Sequence, residues 1–409
     1  MFSRALGTPA AVAFLALALA PAASSDDDLE PHPVIDGEFK IQPYLLPNGQ
    51  GYRHLTSMIN EADNELVLFG GLGDGPPFPP TPMNHKVYTL DLEKAPSEQE
   101  WQERSTDDVI PEPWFTTTRG FIEFDDRAYL ACDDSEVNGV YAFDPVTYTF
   151  KLLSESTLDP QFKTSDCCAV GVTVRDRRGH DQKAEERIYL IGGGNDFASP
   201  LPYVRYYSIT HDRWERVADM NLSRRHMGCA SVKHRGKPMI YAIAGGDETT
   251  GEALRSIEVY DVLDDEWTLY DDFFPEGGGR TRMSVQSVDD KYLLVIGGDA
   301  TCTGGLCPPD RALTTVDIID IRFGNRLISS DEHVIPQLNA PRQTPATSLS
   351  KVHDHDQEHR YVLHVVAGRT IAEDGGTDVL TTTEVLSFDR IKVVPQRPAR
   401  PSRTSSLMR

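Results

Sequence analysis

Short apolar runs that end in paired glycines recur along this chain at a nearly constant interval. The doublets close β-type runs at Gly71, Gly193, Gly246 and Gly298. The interval from Gly193 to Gly246 is 53 residues, the next is 52, and the interval from Gly71 to Gly193 is 122, which is twice 61. A fixed period near 50 residues is typical of a repeat protein. The doubled interval predicts one additional repeat that lacks the doublet.

Each doublet is followed by a second apolar run that ends near a tyrosine, and then by a tryptophan. Tyr207 precedes Trp214, and Tyr260 precedes Trp267, by seven residues in both cases. The runs alternate apolar and polar residues, as half-buried antiparallel strands do. We expect the aromatic pair to fill the wedge between adjacent sheets. With a further strand at the start of each unit, as at residues 225–232, a unit has the four strands of a propeller blade.

This pattern resembles the kelch repeat. An arginine opens the first strand, glycines follow the second, Tyr-Asp lies in the third and tryptophan in the fourth, most clearly in residues 165–220 and 223–275. The resemblance implies an all-β fold, a six-bladed kelch β-propeller with four-stranded antiparallel blades. The repeat without a doublet is assigned to residues 114–153. The third strands of the last two units are assigned to residues 316–320 and 384–389.

A propeller must close its ring, and the sixth unit has no clear fourth strand of its own. Residues 392–394 and residues 39–41 are the two candidates, and we favour the N-terminal segment. The propeller is predicted to span residues 23–394. The proline-rich basic tail at residues 395–409 is predicted to be disordered.

Residues 1–22 are predicted to be a secretory signal peptide. Arg4 supplies the positive n-region, and the apolar stretch at residues 10–20 is too short to span a bilayer. Residues 20–22 offer a small-residue cleavage pattern. The protein is therefore predicted to be secreted. Its formal net charge of −23 favours solubility and argues against nucleic acid or a membrane as a partner.

Six cysteines suit an oxidising compartment. Cys302 and Cys307 are separated by a short turn, which predicts a local disulfide. Four cysteines allow three pairings, and they lie at positions 132, 167, 168 and 229. A bond from Cys132 to the adjacent pair is geometrically sensible, because Cys132 ends one strand and the pair opens the first strand of the next unit.

Two local patterns concern modification and metal binding. The sequon Asn221-Leu222-Ser223 lies in a predicted surface loop, so a eukaryotic host is expected to glycosylate Asn221. The histidines and aspartates of residues 353–359 are interpreted as an exposed hairpin loop, because a metal site needs fixed ligand geometry. We therefore predict no metal ion and no cofactor.

The loops after the second strands and the starts of the first strands are expected to open on one face, over a central channel. Five of the six strand starts carry an arginine, and guanidinium groups suit carboxylates and other polarised oxygens. The predicted catalytic residues are Arg225, Arg282 and His226. The predicted substrate-binding residues are Arg53, His54, Trp114, Phe115, Arg119, Asp196, Phe197, Asp247, Arg342 and Arg369. The alternative is that these arginines belong to the repeat and hydrogen-bond loop carbonyls.

The sequence contains no Gly-x-Ser-x-Gly elbow, no His-Glu-x-x-His motif and no phosphate loop. A small-molecule pocket that holds and polarises its substrate needs none of these. In length, signal peptide, cysteine usage and six-blade plan the chain resembles secreted fungal hetero-Diels–Alderases. This resemblance implies a cofactor-free cyclase of secondary-metabolite biosynthesis. The alternatives are a non-catalytic extracellular propeller that binds protein or glycan, and a sugar mutarotase that uses Arg225, Arg282 and Asp247.

Overall fold

The structure is a computed structural model. It describes residues 32–46, 51–73, 84, 86–104, 121–124, 127–132, 139–158, 164, 166–175, 184–195, 199–247, 252–300, 312–322, 324–329, 335–353, 359–371 and 377–394. The predicted signal peptide, the basic tail and the predicted Cys302–Cys307 disulfide lie outside these residues. So do five candidate site residues, namely Trp114, Phe115, Arg119, Asp196 and Phe197. Across the described ranges, no helix is long and apolar enough to cross a membrane.

The described residues fold into short antiparallel strands. In chain order these are β1 (His32–Val34), β2 (Lys40–Ile41), β3 (Arg53–Asn60), β4 (Glu65–Leu72), β5 (Val87–Asp91), β6 (Gln102–Glu103), β7 (Phe121–Phe124), β8 (Arg127–Leu130), β9 (Val140–Asp144), β10 (Thr149–Ser154), β11 (Cys168–Val174), β12 (Glu185–Ile191), β13 (Gly194–Asn195), β14 (Ser199–Pro200), β15 (Val204–Ser208), β16 (Arg213–Arg216), β17 (Gly228–His234), β18 (Lys237–Ile243), β19 (Gly246–Asp247), β20 (Glu252–Ala253), β21 (Ile257–Asp261), β22 (Glu266–Tyr270), β23 (Ser284–Val288), β24 (Tyr292–Ile296), β25 (Val316–Asp320), β26 (Arg326–Ile328), β27 (Ala346–His353), β28 (His359–Val366), β29 (Arg369–Ile371), β30 (Thr377–Val379), β31 (Thr383–Phe388) and β32 (Lys392–Val394).

Six four-stranded sheets form the blades of a propeller. Blades 1 to 5 have the strand orders β3-β4-β5-β6, β7-β8-β9-β10, β11-β12-β15-β16, β17-β18-β21-β22 and β23-β24-β25-β26, and blade 6 has the order β27-β28-β31-β2. Short hairpins β13-β14, β19-β20 and β29-β30 extend the loops between the second and third strands of blades 3, 4 and 6. The predicted six-bladed, all-β fold is confirmed, including the repeat without a doublet, which forms blade 2.

The N-terminal segment closes the ring, as predicted. Strand β2 pairs with β31 as the outer strand of blade 6, with Lys40 opposite Val385 and Ile41 opposite Glu384. The other candidate segment, β32, pairs instead with β1. Both ends of the described chain therefore meet at blade 6, and the ring is closed by hydrogen bonds between distant parts of the sequence.

The aromatic pairs fill the wedges between blades. The rings of Tyr260 and Trp267 stack with their centroids 4.9 Å apart. Both rings pack in one buried cluster with Tyr189 and Tyr206 of blade 3, and the indole N–H of Trp267 donates to the carbonyl of Ala218, 3.0 Å away. Burial of large aromatic side chains is a major stabilising contribution in such cores, so the fourth strand of blade 4 helps to hold this blade to blade 3.

The glycine doublets terminate the second strands in a left-handed conformation. The second glycine has φ near +100° at Gly245, Gly298 and Gly368, which only glycine adopts easily. The first position has φ of 51° at Ala244 and 64° at Cys132, so it tolerates other residues. The equivalent doublet in blade 4 is thus residues 244–245, one residue earlier than the repeat assigned from the sequence.

Two disulfides join three consecutive blades. Cys132 of blade 2 is bonded to Cys167, and the adjacent Cys168 is bonded to Cys229 of blade 4. The expected bond from Cys132 to the adjacent pair is confirmed. Both bonds are buried, and the bond between Cys168 and Cys229 borders the central channel. Blades 2, 3 and 4 are therefore covalently linked around the axis.

Candidate functional site

The first strands of the blades surround a central channel of about 280 Å³. The channel is bordered by the first strands of all six blades, from Leu55 in blade 1 to Thr347 in blade 6. Neighbouring first strands are cross-linked: Ser57 Oγ lies 2.8 Å from Ser348 Oγ, and Ser284 Oγ lies 2.6 Å from Thr347 Oγ1. The channel wall is therefore a rigid ring of strands.

In the blades whose strand starts the structure describes, three consecutive positions form the mouth of this channel. We name them the wall, edge and ring positions; they are residues 52–54, 224–226, 280–282 and 342–344 in blades 1, 4, 5 and 6, and residues 164 (wall) and 166 (ring) in blade 3. The ring residues have positive φ, and these are His54, Asp166, His226, Arg282 and Thr344. Their backbones are joined: Arg282 donates to the carbonyl of His226 (2.9 Å) and Thr344 donates to that of Arg282 (2.8 Å). In blade 3 this register is two residues earlier than the sequence suggested.

Arginines at the wall position are structural. Arg224 is fully buried. Its guanidinium group donates to Glu258 (Nε–Oε1 3.1 Å) and to the backbone carbonyls of residues 244 and 256. Arg342 makes the equivalent contacts with Glu384 and the carbonyls of residues 367 and 382. Burial lowers the pKa of both guanidinium groups, and the partner glutamate opposes that shift. Arg342, predicted to bind substrate, thus has its guanidinium group occupied by Glu384 and backbone carbonyls, which is the arrangement that the alternative interpretation describes.

Asn221 supports one of these buried pairs. Its amide nitrogen donates to Glu258 Oε2 at 2.9 Å, and its backbone N–H donates to the same oxygen at 2.7 Å. Asn339 makes the same two contacts with Glu384 in blade 6. The side chain of Asn221 is nevertheless exposed, so the sequon lies at the surface as expected.

Arg225 and His226 are directed towards blade 3. Arg225 Nε donates to Asp166 Oδ2 at 2.9 Å, and His226 Nδ1 lies 3.7 Å from Asp166 Oδ1. All three side chains are buried or nearly so. Two of the predicted catalytic residues thus lie beside a carboxylate that the sequence analysis had not assigned to the site.

The third predicted catalytic residue, Arg282, lies in the adjacent blade 5, with its backbone bonded to His226, and its side chain belongs to a different group. Burial, followed by repulsion from Arg53 and Arg282, lowers the pKa of Arg369 to about 10. Arg53 and Arg282 therefore both lie close enough to Arg369 for their charges to act on it. All three are half-buried. We call Arg53, Arg282 and Arg369 the arginine cluster.

Backbone hydrogen bonds position this cluster. Gln343 and Arg369 exchange N–H···O bonds of 2.8 and 2.9 Å, and the preceding Gly368 donates to the carbonyl of Tyr52 at 3.2 Å. Tyr52 precedes Arg53 in the chain, and Gln343 precedes Thr344, whose backbone N–H donates to the carbonyl of Arg282. The backbones of the three arginines are therefore connected through hydrogen bonds made by these residues or by their immediate neighbours. The cluster spans blades 5, 6 and 1.

A buried carboxylate lies beside the cluster. Asp299 is fully buried, accepts a hydrogen bond from Gln343 (Nε2–Oδ2 2.6 Å), and raises the pKa of Arg369 in opposition to the two arginines. The link through Gln343 was missed, because the repeat pattern specifies no residue at the edge position.

The remaining sequence-predicted residues lie around the mouth. His54 occupies the ring position of blade 1. Asp247 lies in the short hairpin β19-β20 after the second strand of blade 4, where its backbone is in antiparallel register with that of Glu252. Among the residues described, no three His, Cys, Asp or Glu side chains are arranged to hold a metal ion. The described residues of the mouth offer hydrogen-bond donors and charged groups.

The Kelch motif matches residues 185–221 and 224–271, which fall in blades 3 and 4. The chain is a kelch-repeat β-propeller. The kelch propeller is 40% identical over 83 residues to the F-box/kelch-repeat protein At2g44130 of Arabidopsis thaliana, covering 20% of the chain and 19% of that relative. It is 24% identical over 219 residues to the F-box/kelch-repeat protein OR23 of the same plant, covering 48% and 47%.

Animal proteins are also similar to the kelch propeller. Beta-scruin of Limulus polyphemus is 32% identical over 142 residues, which is 32% of the chain and 14% of that protein. The matches cover less than half of the length of each relative named here. The similarity therefore concerns the repeats, and the relatives carry additional sequence outside the matched region.

Proposed function

We propose that this protein is a non-catalytic binding propeller whose channel mouth recognises an acidic group on its ligand. The observation that carries the proposal is the convergence of Arg53, Arg282 and Arg369 at one mouth of a protein whose formal net charge is −23. Converging guanidinium groups repel one another, and a carboxylate that hydrogen-bonds to them relieves that repulsion.

Two observations favour binding over the predicted cyclase or mutarotase activity. The three residues predicted to be catalytic have different side-chain surroundings, because Arg225 and His226 are directed to Asp166 whereas Arg282 lies near Arg369. The relatives named above are F-box/kelch-repeat proteins and a scruin, and their names indicate no cyclase or isomerase. We therefore favour the non-catalytic alternative.

We further propose that the propeller acts in an oxidising, extracellular setting. The support is the pair of disulfides that join blades 2, 3 and 4, since such bonds persist in oxidising compartments and are rare in the cytosol. The signal-like residues 1–22 agree with this proposal.

The test is binding of carboxylate probes measured by calorimetry. D-glucuronate and an acetylated Glu-Gly-Glu peptide are titrated into the intact protein and into Arg282→Gln, Arg369→Gln and Arg213→Gln. A charge-assisted hydrogen bond contributes about 1.5–3 kcal/mol, so each cluster variant should weaken binding roughly 10-fold or more.

Arg213→Gln is the matched control, because Arg213 lies on the outer strand of blade 3 in an exposed pair with Glu215. This variant makes the same change in net charge away from the mouth, and binding should stay within about 2-fold of the intact protein. Binding of neither probe, or equal losses in all three variants, would contradict recognition by the cluster.

A further inference from the structure

The channel wall beneath the mouth is chemically two-sided. On blades 5, 6 and 1 the lining includes six hydroxyl or amide side chains, namely Ser284, Gln286, Ser287, Thr347, Thr56 and Ser57. On blades 2, 3 and 4 the described lining is made of small or apolar groups and a disulfide, with Ser231 as its hydroxyl. The polar side lies on the same three blades as the arginine cluster.

The polar side is neutral and its groups retain hydrogen-bonding capacity. Gln286 Nε2 donates to the carbonyl and the Oγ1 of Thr347, both at 2.9 Å. Ser284 and Thr347 share one further hydrogen bond. Each hydroxyl has one donor and two acceptor sites, so this wall can still bond to a hydroxylated ligand.

Buried oxygens without partners lie in the same sector. Within the described part of the chain, the side-chain oxygens of Thr56, Thr281 and Thr344 and the Oε1 of Gln343 are buried and accept or donate no hydrogen bond. These residues are at most 2% exposed. Buried polar groups are stabilised by a partner, which is water or a ligand when the protein supplies none.

The size of the channel restricts what enters it. A volume of about 280 Å³ is at the small end of ligand pockets, which are roughly 300–1,000 Å³. One ring-sized unit fits this space, whereas a folded or extended chain segment does not. The ligand must present a carboxylate to the cluster, hydroxyl groups to one wall and a less polar face to the other.

We propose that the kelch propeller binds a uronic acid, as a free sugar or as the terminal residue of a glycan. A sugar ring is polar along its edge and less polar on its faces, which matches the two-sided wall. Its carboxylate would lie at the arginine cluster, and its hydroxyl groups would face Ser284 and Gln286. This inference rests on the proposed function and assigns its ligand class.

The test compares four probes by calorimetry: D-glucuronate, D-glucose, glutarate and the acetylated Glu-Gly-Glu peptide. Glucuronate should bind at least about 10-fold more tightly than glucose, which lacks the carboxylate, and than glutarate, which lacks the ring. Binding of the peptide without glucuronate overturns the sugar assignment but leaves the proposed function standing. Binding of neither glucuronate nor the peptide overturns both.

Matched serine variants locate the sugar within the channel. Ser284→Ala should weaken glucuronate binding about 5-fold or more, and Ser231→Ala on the opposite wall should change it by less than about 2-fold. Gln286→Met, which keeps the side-chain length, should act like Ser284→Ala, and thermal melting checks that each variant is folded. Equal affinities of all three variants for glucuronate would overturn binding in the channel.

Discussion

Arg224 and Glu258 form an ion pair that is completely buried between the start of the first strand and the third strand of blade 4. The guanidinium group is further bonded to the carbonyls of Ala244 and Ser256, and the carboxylate accepts from Asn221. The same arrangement recurs in blade 6 with Arg342 and Glu384. The pair ties the loop that forms the channel mouth to the interior of its blade.

Removal of Arg224 should strongly destabilise the protein. Arg224→Met leaves Glu258 buried without its cation, and breaking such a pair costs about 3–5 kcal/mol. Chemical denaturation followed by tryptophan fluorescence measures the loss. The half-buried Arg282 is the comparison, and Arg282→Met should cost about 1 kcal/mol or less.

A double variant separates the pair from simple packing. Arg224→Met combined with Glu258→Leu removes both charges, and it should recover part of the stability that Arg224→Met loses. A double variant that is less stable than the single one would show that the two residues contribute independently.

Removal of Arg369, unlike removal of Arg224, should stabilise the unliganded protein. Arg369 is repelled by Arg53 and Arg282, and burial adds to the unfavourable electrostatics of its charge. Arg369→Gln should therefore raise the melting temperature by about 1–3 °C, whereas Arg213→Gln should leave it unchanged. A decrease in the melting temperature of Arg369→Gln would mean that this arginine stabilises the fold and is not held in place for a ligand.

The blade count, the ring closure and the wedge packing followed from the sequence because each depends on local periodicity or on one missing strand. The division between structural and ligand-facing arginines did not follow from it. Whether an arginine is buried depends on an acidic residue more than 30 positions later, as with Arg224 and Glu258 or Arg342 and Glu384.

That signal was present in the sequence but was not used. Glu258 and Glu384 each occupy the second position of a largely buried third strand, and an acidic residue there needs a buried partner. The arginine cluster, by contrast, is assembled from three blades. Arg53 and Arg282 belong to the arginines at the strand starts, but the sequence does not show which of those arginines lie near Arg369, because that depends on the closed ring.

The two disulfides should contribute strongly to stability. Their loops span sequence separations of 35 and 61 residues, for which loss of unfolded-chain entropy gives about 4 kcal/mol each. Cys168→Ser with Cys229→Ser, and Cys132→Ser with Cys167→Ser, should each lower the denaturation midpoint in non-reducing buffer. In the presence of dithiothreitol the intact protein should approach the stability of a variant that lacks all four cysteines.

Glycosylation at Asn221 should be compatible with the fold. A glycan replaces one of the two amide hydrogens, so the remaining N–H can keep the 2.9 Å bond to Glu258 while the 3.5 Å contact with the carbonyl of Trp267 is lost. Secretion from a eukaryotic host should give a mass decrease on treatment with a peptide N-glycosidase. Ser223→Ala, which removes the sequon and keeps Asn221, should abolish that decrease. If the glycosidase leaves the mass of the protein without substitutions unchanged, the prediction is wrong.

His364 should make the protein less stable below neutral pH. Its side chain lies within β28 in register with Ser348, is almost completely buried, and its Nδ1 has no hydrogen-bond partner among the described residues. Burial lowers the pKa of His364 from 6.5 to about 4. The unfolded chain therefore binds a proton below about pH 6.5 that the folded protein does not bind until about pH 4.

The stabilisation from neutral His364 is fully present above pH 6.5 and is lost as the pH falls towards 4. A shift of this size corresponds to about 3 kcal/mol. Denaturation curves at pH 7.5, 6.5, 5 and 4 measure the loss, and His364→Gln, which does not titrate, should flatten the profile over this interval. Because protonation of carboxylates also destabilises the folded state near pH 4, the decisive comparison is between pH 6.5 and 5. Parallel profiles for the intact protein and His364→Gln in that interval would show that another group is responsible.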